Sequence, residues 1–290
     1  MAVDQGISRE LNLGEVVSKT FELYRRNFAK YFVLYLVVEA VIGVISTLAY
    51  NAFILPTLPV DATAQQIANW FLGFAGTLAE LVVAVGVVSL VFGTIAFGGT
   101  VKMASEEVEN RSIDLSGAVR FAATKLLWMW VLGLLLGIII VLGFIAVVVP
   151  GIILAIMFSL AFQALLIEGA GITGSMSRSR ELVGHRWLKT FATFLVFLII
   201  IGIASGVVNA ISAPFGDASR LVSSVLSAFY QPILPVATTI YFYSNRARIS
   251  PVQPGQAVMP GPGMKFCTNC GTQLEASATF CSKCGAKQPT

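Results

Sequence analysis

Charge is scarce in this chain. Of its 290 residues only 12% are Asp, Glu, Lys or Arg, against 56% hydrophobic. So little polar surface excludes a soluble globular domain of ordinary composition, and makes lipid the expected solvent for most of the sequence. Cysteine is absent before Cys267, so the apolar part has no thiol to oxidise or to offer a metal. Histidine occurs once, as His185. The first ten residues, with Asp4, Arg9 and Glu10, lack the short apolar core and small-residue cleavage site of a secretory signal. The first apolar stretch is therefore expected to remain as a membrane anchor.

What the sequence has instead is apolar runs of spanning length. Six stretches approach the roughly 20 residues that cross a hydrocarbon core: Tyr31 to Tyr50, Leu81 to Val101, Leu126 to Val149, Ile152 to Leu166, Phe191 to Ala213 and Leu221 to Tyr243. The fourth is short, but Pro150 suits the first turn of a helix and Gly169 to Gly171 suit its exit, so it can extend at both ends. The third and fourth read as a tight hairpin turning at Pro150-Gly151. Between Pro56 and Glu80, Ile67, Trp70, Phe71, Phe74 and Leu78 recur at helical spacing. That excursion is either a helix lying in the interface or an extension of the second span.

The basic residues set the orientation. Arg9, Lys19, Arg25, Arg26 and Lys30 precede the first span; Lys102, Arg111, Arg120 and Lys125 separate the second and third. Arg178, Arg180, Arg186 and Lys189 separate the fourth and fifth, and Arg246, Arg248, Lys265, Lys283 and Lys287 follow the sixth. With six spans, all of the 19 basic residues except Arg220 fall on one side. Lysine and arginine are retained on the cytoplasmic side of short loops, so the expected location is the cytoplasmic membrane, with both termini in the cytoplasm. Five or seven spans would break this pattern.

The basic segments before the odd-numbered spans share a plan: a small residue in a turn, a short amphipathic helix, then basic and aromatic residues. The copies begin at Leu13-Gly14-Glu15, at Leu115-Ser116-Gly117 and at Ile172-Thr173-Gly174. In the first, Leu13, Val16, Val17, Phe21, Tyr24 and Phe28 line one face, as expected of a helix half-sunk among headgroups whose basic residues reach lipid phosphates. The expected fold is an all-α membrane domain over residues 1–248, with six transmembrane helices as three hairpins, each introduced by an interfacial amphipathic helix. Basic, aromatic juxtamembrane segments serving orientation alone would give the same pattern.

The stretch Pro150-Gly151-Ile152, Ala161 to Ile167, Glu168-Gly169, Met176 to Leu182 with Ser179-Arg180, and His185-Arg186-Trp187 resembles the membrane domain attached to glycerophosphodiester phosphodiesterases. The close Thr239-Ile240-Tyr241-Phe242-Tyr243 before Arg246 and Arg248, and the opening Leu13-Gly14-Glu15, extend the resemblance over most of residues 10–248. It implies a multi-pass module that serves as partner or anchor to a domain in cis. The catalytic domain of that family is missing, and His185 alone cannot supply its paired general acid and base.

From 249 to 264 the composition turns to a Pro/Gly-rich linker, with Pro251, Pro254, Pro260 and Pro262 and nothing to bury. Residues 265–290 then repeat one pattern: Phe266-Cys267-Thr268-Asn269-Cys270-Gly271 and Phe280-Cys281-Ser282-Lys283-Cys284-Gly285. Two thiolates two residues apart wrap one edge of a metal, and glycine after the second lets the turn close. Cys267, Cys270, Cys281 and Cys284 therefore predict a small β zinc ribbon with one structural zinc ion. A rubredoxin-like iron site would use the same ligands. A closed site leaves no open position for a substrate, and the few apolar residues, Phe266, Leu274 and Phe280, predict unfolding without metal. Lys265, Lys283 and Lys287 against Glu275 make too weak a basic face for nucleic acid, so docking of a protein partner is the expected use.

Within the bundle, Glu39 stands about 12 Å into the first span by helix rise, where an unpaired charge is costly. Protonation, pairing or an aqueous cavity would each relieve it. Glu80 and Glu168 fall near span ends, and His185 beside Arg186 and Trp187 suits a headgroup-facing position. Gln231, Pro232 and Pro235 interrupt the sixth span, as a packing kink or a cavity lining. The leading expectation is a non-enzymatic membrane scaffold or adaptor, anchored in the bilayer, whose cytoplasmic ribbon binds or regulates a protein. The alternative is a transporter or channel for a lipid, amphiphile or ion, using Glu39 and the broken sixth helix.

Overall fold

A computed structural model of the chain describes residues 7–52, 61–184, 186–249, 264–266, 273–275 and 277–280. The contacts divide the chain into two compact units, 1–249 and 250–290.

The described part of the first unit is helical. Helix α1 (Leu13–Arg26) starts in a reciprocal capping box: the Asn12 side chain accepts from the Glu15 N–H, and the Glu15 carboxylate accepts from the Asn12 N–H. It ends in Arg25 and Arg26, the charge its C-terminal dipole favours. After Asn27 the chain re-enters a helix at once, α2 (Phe28–Ala52). Helix α3 (Ala64–Val108), capped by Thr63 with Gln66, is followed by α4 (Leu115–Ala146), α5 (Val148–Met157), α6 (Ala161–Ile167) and α7 (Ile172–Val183). Then come α8 (Trp187–Ser212), a 3-10 turn over Ala213–Ala218, α9 (Ser219–Ser227) and α10 (Ile233–Ile249).

Five helical segments are long and apolar enough to cross a membrane: Phe28–Ala49, Ala64–Val108, Leu115–Ala146, Val148–Ile167 and Trp187–Gly216. The expected sixth is divided between α9 and α10, and neither piece reaches spanning length alone. Pro232 and Pro235 account for the division, because neither can donate a backbone N–H to the turn before it. The apolar count is thus five to six. The fourth span does extend beyond Ile152 to Leu166 at both ends, and Pro150 lies in the first turn of α5. The hairpin reverses at Val147, in extended conformation, rather than at Pro150-Gly151. Gly151 serves the crossing instead: a Cβ there would lie 2.5 Å from the Phe144 ring.

One open alternative is decided and one expectation is corrected. The excursion before Glu80 is no separate interfacial helix over its described part: from Ala64 onward it is continuous with the second span, in one 45-residue helix. At 1.5 Å per residue that helix is about 67 Å long, over twice the hydrocarbon thickness. The three introductory helices are also not alike. The middle one is simply the start of α4, unbroken from Leu115. Helix α1 does not rest its apolar face in headgroups; Val16, Leu23 and Tyr24 are buried against protein, chiefly α10, while Phe21 and Phe28 stay exposed. Helix α7 likewise buries Ser175, Ser179, Leu182 and Val183 against its neighbours.

Helix α10 is the centre of the unit. Every residue from Pro235 to Asn245 is buried, and it packs against α1, α3, α6, α7 and α8. Its Thr238, Thr239, Ser244 and Asn245 fit this place, since polar side chains within a bundle face other helices rather than acyl chains.

In the second unit β1 (Met264–Phe266) pairs antiparallel with β2 (Gln273–Glu275), Phe266 opposite Gln273. The Ala278 N–H closes a turn onto the Glu275 carbonyl at 2.9 Å.

Candidate functional sites in the broken helices and the cysteine tail

A helix that breaks inside a bundle leaves backbone groups without partners, and each needs a donor or acceptor from elsewhere. The sixth segment breaks over residues 228–232. The Phe229 carbonyl in that break accepts the Tyr24 hydroxyl of α1 at 2.7 Å. Burial pushes the Tyr24 hydroxyl pKa up to about 12, so it stays a donor over the physiological range.

The same break presents Gln231 to Glu39. Glu39, on α2, is only 8% exposed, and its Oε1 accepts from Gln231 Nε2 at 2.7 Å. Gln231 Nε2 also lies 3.1 Å from the Ser227 hydroxyl, itself a donor to the Ser224 carbonyl. Among the described residues no lysine or arginine pairs with Glu39. The two features that stand out singly in the sequence, the intramembrane acid and the interrupted helix, therefore form one site. Gly43, one turn beyond Glu39 on α2, permits the close crossing: a Cβ there would meet the Ser224 side chain at 2.9 Å.

The fourth span has a second break, at Phe158–Leu160 between α5 and α6. Here Ser179 of α7 acts as a staple, donating to the Met157 carbonyl at 2.9 Å and accepting from the Leu160 N–H at 3.1 Å. Gln163, one turn on, reaches Thr238 of α10 at 2.7 Å. Both lie in stretches that carry the family resemblance, but the sequence does not show their roles as partners across helices. The segment Ile156 to Phe162 has neither proline nor glycine to mark a break, and a serine on an amphipathic helix looks like solvent-facing surface.

A polar layer closes the basic end. The Leu11 N–H donates to the Ser244 hydroxyl at 2.8 Å, and Lys189 Nζ grips both the Leu11 carbonyl and Glu10. Despite partial burial, which opposes it, contact with Lys189 and Arg186 holds the Glu10 carboxyl below its ordinary value. Thr190 and Tyr241 share a hydrogen bond of 2.8 Å, Tyr243 donates to Glu109, and Arg248 donates to the Leu182 carbonyl. Arg178 pairs with Glu168, which thus has a cationic partner at the end of its span.

Cys267, Cys270, Cys281 and Cys284 lie outside the described residues, as does His185. A donor set of four thiols, spaced two residues apart and each pair followed by glycine, fits a tetrahedral zinc ion.

These features define a helical bundle with membrane-spanning capacity, joined to a small cysteine-rich unit. In comparison with known proteins, residues 266–288 match the zinc-ribbon domain family. No curated protein and no solved structure matches the chain. These comparisons give no support to the resemblance of residues 10–248 to the phosphodiesterase-attached membrane domain.

Proposed function

We propose that this chain is a non-enzymatic scaffold or adaptor of the cytoplasmic membrane, whose bundle anchors it and whose cytoplasmic zinc ribbon binds or regulates a protein partner. The observation that carries the reading is the zinc-ribbon match at 266–288 on a unit distinct from the helical one. Cys267, Cys270, Cys281 and Cys284 would hold the metal, which supplies a cross-link in place of a hydrophobic core. Four thiolates leave no coordination position for a substrate, so the ribbon's outer surface is what remains for recognition. The linker, rich in proline from Pro251 to Pro262, gives the ribbon reach. The test is purification of the full chain and of a form lacking 265–290 from native membranes. The reading expects partners that disappear with the tail; an identical set from both forms would sink it.

A second reading, transport of an ion or amphiphile, is favoured by the contact of Glu39 with Gln231 at the helix break. A buried carboxylate without a basic partner, beside irregular backbone, is a common arrangement for a transport site. In liposome flux assays that reading expects Glu39→Gln to abolish transport. Flux equal to wild type removes its support.

A further inference from the structure

The basic residues from α7 to the first turn of α8 are unequally served. Arg178 is 2.9 Å from Glu168 and 2.8 Å from Glu181, while Lys189 and Arg186 reach Glu10 at 2.5 and 3.4 Å. Among the described residues the Arg180 guanidinium has no ion pair or hydrogen bond. It borders a cavity of about 830 Å³ where α5, α7 and the start of α8 meet. Ile153, Met157 and Val183 give this cavity an apolar wall, and Ser177 and Trp187 stand beside Arg180. Glu181 is the one carboxylate on the lining, and its charge is engaged by Arg178.

An uncompensated cation over an apolar wall, with a hydroxyl beside it and a half-exposed indole at the edge, matches one chemistry. A phosphodiester would take the guanidinium and hydroxyl, an acyl chain would follow Ile153 and Met157 along α5, and the indole would sit at headgroup level. The volume suits a headgroup and the first part of its chains. A second cavity, of about 750 Å³ between α3 and α4, supplies the contrast. It is walled by Leu90, Phe97, Trp130 and Phe162 without any charged side chain, so it has no means of selecting a headgroup. We infer that the α5–α7–α8 cavity is a binding site for an anionic phospholipid, held by Arg180. The site is independent of both readings under Proposed function.

The test is native mass spectrometry of the full chain in mild detergent, titrated with dioleoyl phosphatidylglycerol or dioleoyl phosphatidylcholine. The anionic lipid is expected to be retained in preference to the zwitterionic one. Arg180→Gln should weaken its retention about fivefold, the worth of one basic residue at an anionic surface, and Arg180→Lys should recover part of the loss. Arg120→Gln, an exposed basic position at the start of α4, should leave retention unchanged. Trp187→Leu, at an exposed position, probes the same cavity should Arg180→Gln fail to fold, and should also lower retention. Equal retention of the two lipids, or equal losses from the Arg180 and Arg120 variants, would overturn the inference. So would displacement of the lipid by excess inorganic phosphate, which would make the occupant a soluble anion.

Discussion

Ser179 shows what a single hydroxyl contributes when a helix breaks in a buried place. It is fully buried and serves the Met157 carbonyl and the Leu160 N–H together. Ser179→Ala would leave both without that partner, and each buried unsatisfied group costs about 1 to 3 kcal/mol. The expected outcome is a clearly lower thermal midpoint in detergent, against little change for Ser177→Ala on the exposed side of the same helix. Glu15 gives a pH dependence of definite sign. Hydrogen bonds from Arg9 and then from the Asn12 N–H lower its pKa from 4.5 to about 2. A depressed carboxylate stabilises the fold above its unfolded pKa and loses that contribution as pH falls through the folded one. Amide exchange in the first turn of α1 should therefore speed up progressively from about pH 4.5 to pH 2, and high salt should blunt the change because Arg9 is exposed and Glu15 partly so. Exchange that is flat across this window would show that the capping box does not depend on the carboxylate charge. At this scale the sequence discloses candidates but not partnerships. Glu39 is conspicuous as a lone acid in an apolar run and Gln231 as a polar residue beside prolines, yet their contact spans 192 positions, which no local pattern encodes.

The elements differ in how openly they are written. Long apolar runs announce α2, α4 and α8, and Pro232 with Pro235 announces the break between α9 and α10. The break between α5 and α6 carries no such mark, because what stabilises it is Ser179 on another helix. The reversal stands at Val147 rather than at Pro150-Gly151 for a related reason: proline and glycine stand out in the sequence, but here Pro150 occupies a first helical turn and Gly151 a close crossing. That α1 packs on α10 rather than on headgroups is also beyond periodicity, since an apolar stripe has the same spacing whichever surface it covers. The hairpin offers a paired test. Gly151→Leu places a side chain where the Phe144 ring and Gly143 already sit, and overpacking costs about 1 to 3 kcal/mol. Gly137→Ala on α4 meets nothing within 4 Å and should be neutral or stabilising by up to about 1 kcal/mol, as for glycine in an open helix interior. Denaturation in detergent that gave both variants the same midpoint would contradict the Gly143–Gly151 crossing.

The whole molecule comprises a large helical unit, with α10 sheltered at its centre, and a small unit whose residues 266–288 match the zinc-ribbon family. Chelation should therefore divide them. Removing zinc is expected to release one metal ion per chain and unfold residues 265–290, while far-ultraviolet dichroism of the bundle stays essentially as it was. A large loss of helix on chelation would mean that metal supports the bundle as well. Sidedness is the central claim, because it separates six crossings from five. If the divided α9–α10 segment completes the last crossing, the ribbon lies on the same face as the basic N-terminal helix; with five crossings it lies opposite. The chain supplies its own probe, since every cysteine is in the tail. The decisive measurement is labelling by a membrane-impermeant maleimide with a zinc chelator present, in intact and in permeabilised cells. The account predicts no labelling of the chain in intact cells and full labelling after permeabilisation. Labelling of the tail in intact cells would contradict it.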